Sequence, residues 1–144
     1  MKILILCTGN TCRSQMAEGY LQSLDSSLEV YSAGVDPGKG VNSYAVEVMK
    51  EKNIDISGKQ SNDVSEYINE KFDFVITVCD NAKETCPVFI GEVKNRMHIG
   101  FEDPAEFKGT KENIIEKYRE IRDLIIVEFL KWYELFVVGE NDSV

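Results

Sequence analysis

Lys2-Ile3-Leu4-Ile5-Leu6-Cys7-Thr8-Gly9-Asn10-Thr11-Cys12-Arg13-Ser14 begins as a strand and ends as a helix. Residues 2 to 7 form a short run that is apolar and β-branched after Lys2, the pattern of a strand buried on both faces in a parallel sheet. A polar loop containing Gly9 follows, and Ser14 opens a helix that extends to Leu24. Five residues separate Cys7 from Arg13. A loop of that length between a strand and a helix can wrap its backbone N–H groups around a tetrahedral anion. Gly9 permits close approach, and Arg13 adds a planar fork for two oxyanion oxygens. The same donors face the Cys7 sulfur and favour its thiolate. Cys7 is therefore the candidate nucleophile. Thr8, Gly9, Asn10, Thr11, Cys12, Arg13 and Ser14 are the candidate binding residues, although a buried core thiol closing a strand is the plain alternative for Cys7.

Working outward, strand and helix signals alternate. Val30–Ala33, Phe72–Val78 and Arg96–Phe101 read as further strands. Asn42–Lys52 reads as a helix, with Asn42 or Ser43 as N-cap and Ala45, Val46 and Met49 on one face. Ser61–Asn69 is a further helical stretch. A last helix starts after Thr110 and carries Ile114, Tyr118, Ile121, Ile125, Phe129, Trp132 and Phe136 at steps of three or four. The fold class expected is α/β: one three-layer domain over residues 1–138, with a four-stranded parallel sheet flanked by helices, and a frayed tail at 139–144. Ligands in such sheets bind beyond the carboxyl ends of the strands. Cys7, Cys79 and Asp103 each follow a strand and so fall on that one edge.

The formal net charge of −9 is spread along the 144 residues. That field disfavours nucleic acid and anionic membranes as partners, and any oxyanion site must overcome it with a local cluster of donors. No run approaches the ~20 apolar residues of a membrane span, and MKILILC is too short for a signal peptide. A cytoplasmic monomer with reduced thiols is expected. The four cysteines lack C-x2-C spacing and the single His98 stands apart from them, which disfavours zinc. His98 is expected to be structural, near the end of the fourth strand.

The segment CTGNTCRSQMAEGY resembles the active-site loop and first helix of the low-molecular-weight protein tyrosine phosphatase superfamily, and within it the thioredoxin-coupled arsenate reductases. The similarity runs from Met1 to about Phe136 and includes YSAG at Tyr31–Gly34 and DIS at Asp55–Ser57. The resemblance implies Cys7 as nucleophile, Arg13 as oxyanion binder and Ser14 as a hydroxyl that bonds the Cys7 thiolate. It implies Asp103, in Asp103-Pro104, as the general acid that protonates the departing oxygen. Glu102 is the local competitor. The phosphatases have aromatic residues after Asp-Pro, where this chain has Ala105 and Glu106, so a small inorganic substrate is favoured.

Cys79 and Cys86 resemble the redox segment of the same reductases. The resemblance implies that Cys7 attacks arsenate, that Cys79 then attacks Cys7 and releases arsenite, and that Cys86 moves the disulfide to Cys79–Cys86 for thioredoxin to reduce. Two small buried hydrophobes are the alternative reading of this pair. Seven helical residues span about 10.5 Å, against about 4.4–6.8 Å between disulfide-bonded Cα atoms. A helix over this segment could not persist after oxidation. Cys12 has no role in that scheme, and core packing is expected of it. No tightly bound cofactor is expected. Some of these reductases bind potassium beneath the loop, and Asn10, Glu18 and Ser32 match that site. Gln60 and Asn62 stand where those enzymes have Thr and Asp, and a one-residue gap would bring Asp63 into place instead. The functional alternatives are a low-molecular-weight phosphatase acting on phosphomonoesters and a non-enzymatic redox-sensing, oxyanion-binding module.

Overall fold

A computed structural model describes residues 1–38, 40–80 and 87–139. Four strands, β1 (Lys2–Cys7), β2 (Glu29–Gly34), β3 (Lys71–Thr77) and β4 (Glu92–His98), form one parallel sheet in the order β2-β1-β3-β4. Three α-helices, α1 (Arg13–Leu24), α2 (Ser43–Lys50) and α3 (Lys111–Tyr133), flank it. The α/β class and the four-stranded parallel sheet expected from the sequence are those found.

β1 is central because it is apolar on both faces. Ile3, Leu4, Ile5 and Leu6 are fully buried. Ile3, Ile5 and Cys7 pack in the cluster that holds Met16, Ala17 and Leu21 of α1, Val48 and Met49 of α2, and the stripe Tyr118, Ile121, Ile125, Phe129 and Trp132 of α3. Leu4 and Leu6 face the other way, onto Ala33, Phe72, Val75 and Phe89. From β1 the chain crosses to β2 on one side and later to β3 on the other. The crevice where the strand order reverses lies beyond the end of β1, and that end is Cys7.

Two elements differ from expectation. Ser61–Asn69 is not a helix; only Val64–Tyr67 forms one 3-10 turn, closed by a capping box between Asp63 and Glu66. Ser61 and Asn62 are held extended, because the Ser61 hydroxyl donates to the Asn10 and Gly40 carbonyls and the Asn62 N–H donates to Asn10 Oδ1. β4 begins four residues earlier than expected and ends at His98. As an edge strand it is exposed and polar, so its apolar signal came instead from Ile99 and Phe101. These peel off the sheet through single bonds from the Ile99 and Phe101 N–H groups to the Thr77 and Val78 carbonyls. The caps behave as read: Asn42 accepts from the Tyr44 and Ala45 N–H groups, and Thr110 accepts from Asn113. α2 is shorter than expected, ending at Lys50, and α1 starts one residue early, at Arg13. After α3 the chain continues through a wide turn, Glu134–Val138, and residues 140–144 of the expected tail lie outside the described residues.

Candidate active site

The loop between β1 and α1 is shaped by where its carbonyls go. Thr8 O accepts from Asp36 N, Gly9 O from Gly38 N, and Thr11 O from Asn42 N, at 2.8–3.0 Å. Asn10 O accepts from the Ser61 hydroxyl and from Gln15 Nε2. Each trans peptide points its N–H opposite to its C=O. With four successive carbonyls tied to the surrounding chain, the N–H groups of Gly9, Asn10, Thr11 and Cys12 turn to the concave side. α1 starts without a side-chain cap at Cys12 and without an acidic residue in its first turn. Its leading N–H groups are therefore available to an anion, and the positive end of the helix dipole adds to them.

Two residues make this path possible. Asn10 adopts a left-handed backbone, φ 54°, which asparagine tolerates better than most side chains. Its buried amide donates to Ser14 Oγ (2.8 Å) and Ser32 Oγ (2.9 Å) and accepts from Asn62 N (2.8 Å), pinning loop, helix and β2 together. Gly34, at the end of β2, supports the loop from below. A Cβ there would stand 2.4 Å from the Thr8 carbonyl oxygen, so only glycine lets the loop lie on the strand end. The YSAG segment thus supplies Ser32 for the network and Gly34 for the close approach. In the DIS segment Asp55 accepts from the Ser57 N–H and hydroxyl, a turn that sets Ile56 into the core.

Cys7, Thr8, Gly9, Asn10, Thr11, Cys12 and Arg13 line one cavity of about 1020 Å³ together with Asp103. The Arg13 guanidinium is buried. It donates to the Phe101 carbonyl at 3.1 Å and lies 3.6 Å from Asp103 Oδ2. Asp103 also caps the short turn Pro104–Glu106 by accepting from Ala105 N. Ser14 is fully buried beneath the loop; its oxygen accepts from Asn10, which leaves its proton to donate. Cys12 touches the cavity yet packs in the core, as expected. Burial first, and then the Asp103 charge, push its thiol well above the usual range against the opposing pull of Arg13. Cys12 is thus held as a neutral thiol.

Cys79 is fully buried just after the end of β3, and Cys7 and Cys12 are buried at the cavity. Cys86 lies outside the described residues. The flanks of that segment, Asp80, Pro87 and Val88, reach the cavity. His98 ends β4, with Nδ1 2.7 Å from the Thr77 hydroxyl.

The residues that match the potassium site are engaged by the protein itself. Asn10, Glu18 and Ser32 are all buried, but their oxygens already have protein donors: Asn62 and Gln15 on Asn10 Oδ1, Asn10 on Ser32, and the Lys59 ammonium on Glu18. Asp63 is committed to its cap through Ser65 N. Lys59 supplies the positive charge that an alkali ion would bring. Sequence reasoning missed Lys59. It also missed Val35 and Val88 on the cavity wall and the Lys117 ammonium, which lies 2.7 Å from Glu102.

A parallel sheet with a cysteine at the end of its central strand, an amide-lined loop and an arginine at the head of the next helix defines the class. The chain belongs to the low molecular weight phosphotyrosine protein phosphatase family, whose pattern matches residues 2–136. Within it, the chain is similar to proteins named arsenate reductase. It is 45% identical over 124 residues to that of Oceanobacillus iheyensis, covering 85% of this chain and 88% of the relative. It is 44% identical over 133 residues to that of Shouchella clausii, covering 92% and 94%. A solved arsenate reductase in the phosphate-binding state superposes with a TM-score of 0.75 at 27% identity, covering 91% of this chain and 95% of the other.

Proposed function

We propose that the protein reduces arsenate to arsenite, using Cys7 as nucleophile and thiols as the electron source. The loop amides and Arg13 hold the oxyanion against Cys7. The Cys7 thiolate attacks arsenic, and one oxygen departs as water with a proton from Asp103. Asp103 suits this role better than Glu102, because its carboxylate faces Arg13 across the cavity while that of Glu102 faces Lys117 on α3. Cys79 then attacks the Cys7 sulfur. The S–As bond breaks, arsenic keeps the electron pair and leaves as arsenite, and a Cys7–Cys79 disulfide remains. Attack by Cys86 on Cys79 restores the Cys7 thiolate, and a thioredoxin dithiol reduces the Cys79–Cys86 disulfide.

The observation that carries this reading is the likeness to proteins named arsenate reductase, 45% identical over 124 residues, joined to a cavity that is lined by Cys7 and by Asp80 and Pro87, which adjoin the other two thiols of the relay in sequence. A hydrolase has no use for those two thiols, whereas a relay needs them beside its nucleophile. The outer lining of the cavity agrees: among the described residues it offers Val35, Pro87, Val88, Asp80, Glu102 and Glu106, and no aromatic ring to flank a phenol. One observation favours hydrolysis of phosphomonoesters instead. The cavity, about 1020 Å³, is far wider than a small oxyanion needs. NADPH consumption with thioredoxin, thioredoxin reductase and arsenate tests the choice. The reductase reading expects arsenate-dependent consumption that vanishes in Cys7→Ser, Cys79→Ser and Cys86→Ser. Rapid phosphotyrosine hydrolysis that ignores Cys79 and Cys86, with no arsenate-dependent consumption, would establish the phosphatase. No turnover of either substrate would leave a binding module.

A further inference from the structure

Asp103 sits on a six-residue loop, Glu102 to Phe107, between the end of the sheet and α3. One side chain of α3 reaches both ends of that loop. Lys117 Nζ lies 2.7 Å from Glu102 Oε2, before Asp103, and 5.9 Å from the centre of the Phe107 ring, after it. A second carboxylate, Glu120, stands 3.5 Å from the same ammonium. The Lys117 side chain is 15% exposed, with its stem against the protein and its head among these three groups. The Glu102 hydrogen bond, larger than the opposing effect of burial, raises its pKa, so the ammonium stays charged through the working range.

We propose that Lys117 is a positioning residue for the reaction: it clamps the two ends of the Asp103 loop to α3 and so holds the acid carboxyl over the oxyanion cradle. The proposal rests on the reading of Asp103 as the proton donor. A pair with a half-exposed glutamate adds little to stability, so location is the better account of a lysine held at three points. Between the clamped ends, Pro104 is buried and the turn is closed by Asp103 itself. The carboxylate is left only the short arc that ends 3.6 Å from Arg13. A displacement of about 1 Å at a reacting group can cost on the order of 100-fold in rate.

Single-turnover arsenite release and arsenate affinity should be measured for the wild type, Lys117→Met, Lys117→Arg, Glu102→Gln, Asp103→Asn and the Lys117→Met/Asp103→Asn double variant. Lys117→Met and Glu102→Gln should each slow release by about 10- to 100-fold. Arsenate affinity should stay within about twofold in Lys117→Met, which does not line the cavity, and should not fall in Glu102→Gln, which removes a negative charge from the cavity wall. Lys117→Arg should recover most of the rate. Lys117→Met should add no further loss once Asp103 is Asn, because the two act as a unit. Equal slowing in both backgrounds, or a parallel loss of affinity, would overturn the proposal and leave Asp103 as the acid. Full activity of Asp103→Asn would overturn the acid assignment and the clamp with it. Glu102→Gln changes only the half-exposed partner, so it decides the matter if Lys117→Met unfolds.

Discussion

Arg13 and Asp103 face each other in the cavity, guanidinium Nη2 to carboxylate Oδ2 at 3.6 Å, although they stand far apart in sequence. An oxyanion that enters must share Arg13 with Asp103. The two negative charges then compete for one cation, which favours a proton on one of them. On the proposed reading, that coupling would set Asp103 beside the oxygen that has to leave.

Asp103→Asn should accordingly slow the first chemical step by roughly 10²–10⁴-fold. Oxyanion affinity should hold or improve slightly, because Arg13 loses a competitor. Rapid-quench measurement of arsenite release, with affinity taken from phosphate competition, reads both quantities. Unchanged single-turnover rates would remove Asp103 from the mechanism.

Gly34→Ala should damage the cradle from beneath, without changing any of its own residues. The added methyl would stand 2.4 Å from the Thr8 carbonyl oxygen, which is backbone and cannot rotate away. The expected cost is about 1–3 kcal/mol of stability, together with an arsenate affinity at least tenfold weaker as the Thr8–Asn10 backbone lifts off β2. Denaturant titration and binding calorimetry would measure the two. An alanine variant with wild-type affinity would show that the loop does not depend on that contact.

Potassium should not alter the wild type, since Lys59 already serves Glu18. Lys59→Met should lose about 1–2 kcal/mol, less than a fully buried pair, because Lys59 is a third exposed while Glu18 is buried. Part of that loss should return on adding potassium chloride but not tetramethylammonium chloride. Melting curves in the two salts distinguish these cases. A wild-type Tm that rises specifically with potassium would contradict the assignment.

Acid should loosen the contact of α2 with α3. Hydrogen bonds from Arg119, reinforced by Arg122, lower the Glu51 pKa from 4.5 to about 2. A carboxylate with a depressed folded pKa stabilises above its unfolded pKa and loses that contribution as pH falls through the folded one. The window is therefore about pH 4.5 down to 2. Glu51 is about one-third exposed, so solvent screening reduces the effect to about 1 kcal/mol. Glu51→Gln should be less stable than the wild type at pH 7 and equal to it near pH 2, by urea midpoints. An equal deficit at both pH values would mean that packing, not charge, is responsible.

What could be read from the sequence was local. β1, the loop and the start of α1 are contiguous, so strand pattern, glycine, arginine and helix onset fall within thirteen residues. The caps at Asn42 and Thr110 and the α3 stripe were legible for the same reason. β4 was misplaced because an edge strand carries Glu92, Lys94, Asn95 and Arg96, which do not look like a strand. Ser61 and Asn62 read as helix because their partner, Asn10, lies fifty residues away. The Lys59–Glu18 and Lys117–Glu102 pairs have no signature at all. Each joins ordinary surface-type residues that only the packing of helices on the sheet brings together.

The outward-tied carbonyls of Thr8, Gly9, Asn10 and Thr11 have a consequence for selectivity. A ring of fixed amides measures the size and charge of what enters and nothing else. Phosphate and arsenate share both, so the cradle should accept cellular phosphate nearly as readily and be occupied by it most of the time. Discrimination then belongs to the sulfur chemistry that follows. Arsenic(V) can accept an electron pair as its bond to sulfur breaks, whereas phosphorus(V) bound to the same cysteine has no such path. Raising phosphate should therefore lower arsenate turnover by competition for the cradle, and raising arsenate should restore it.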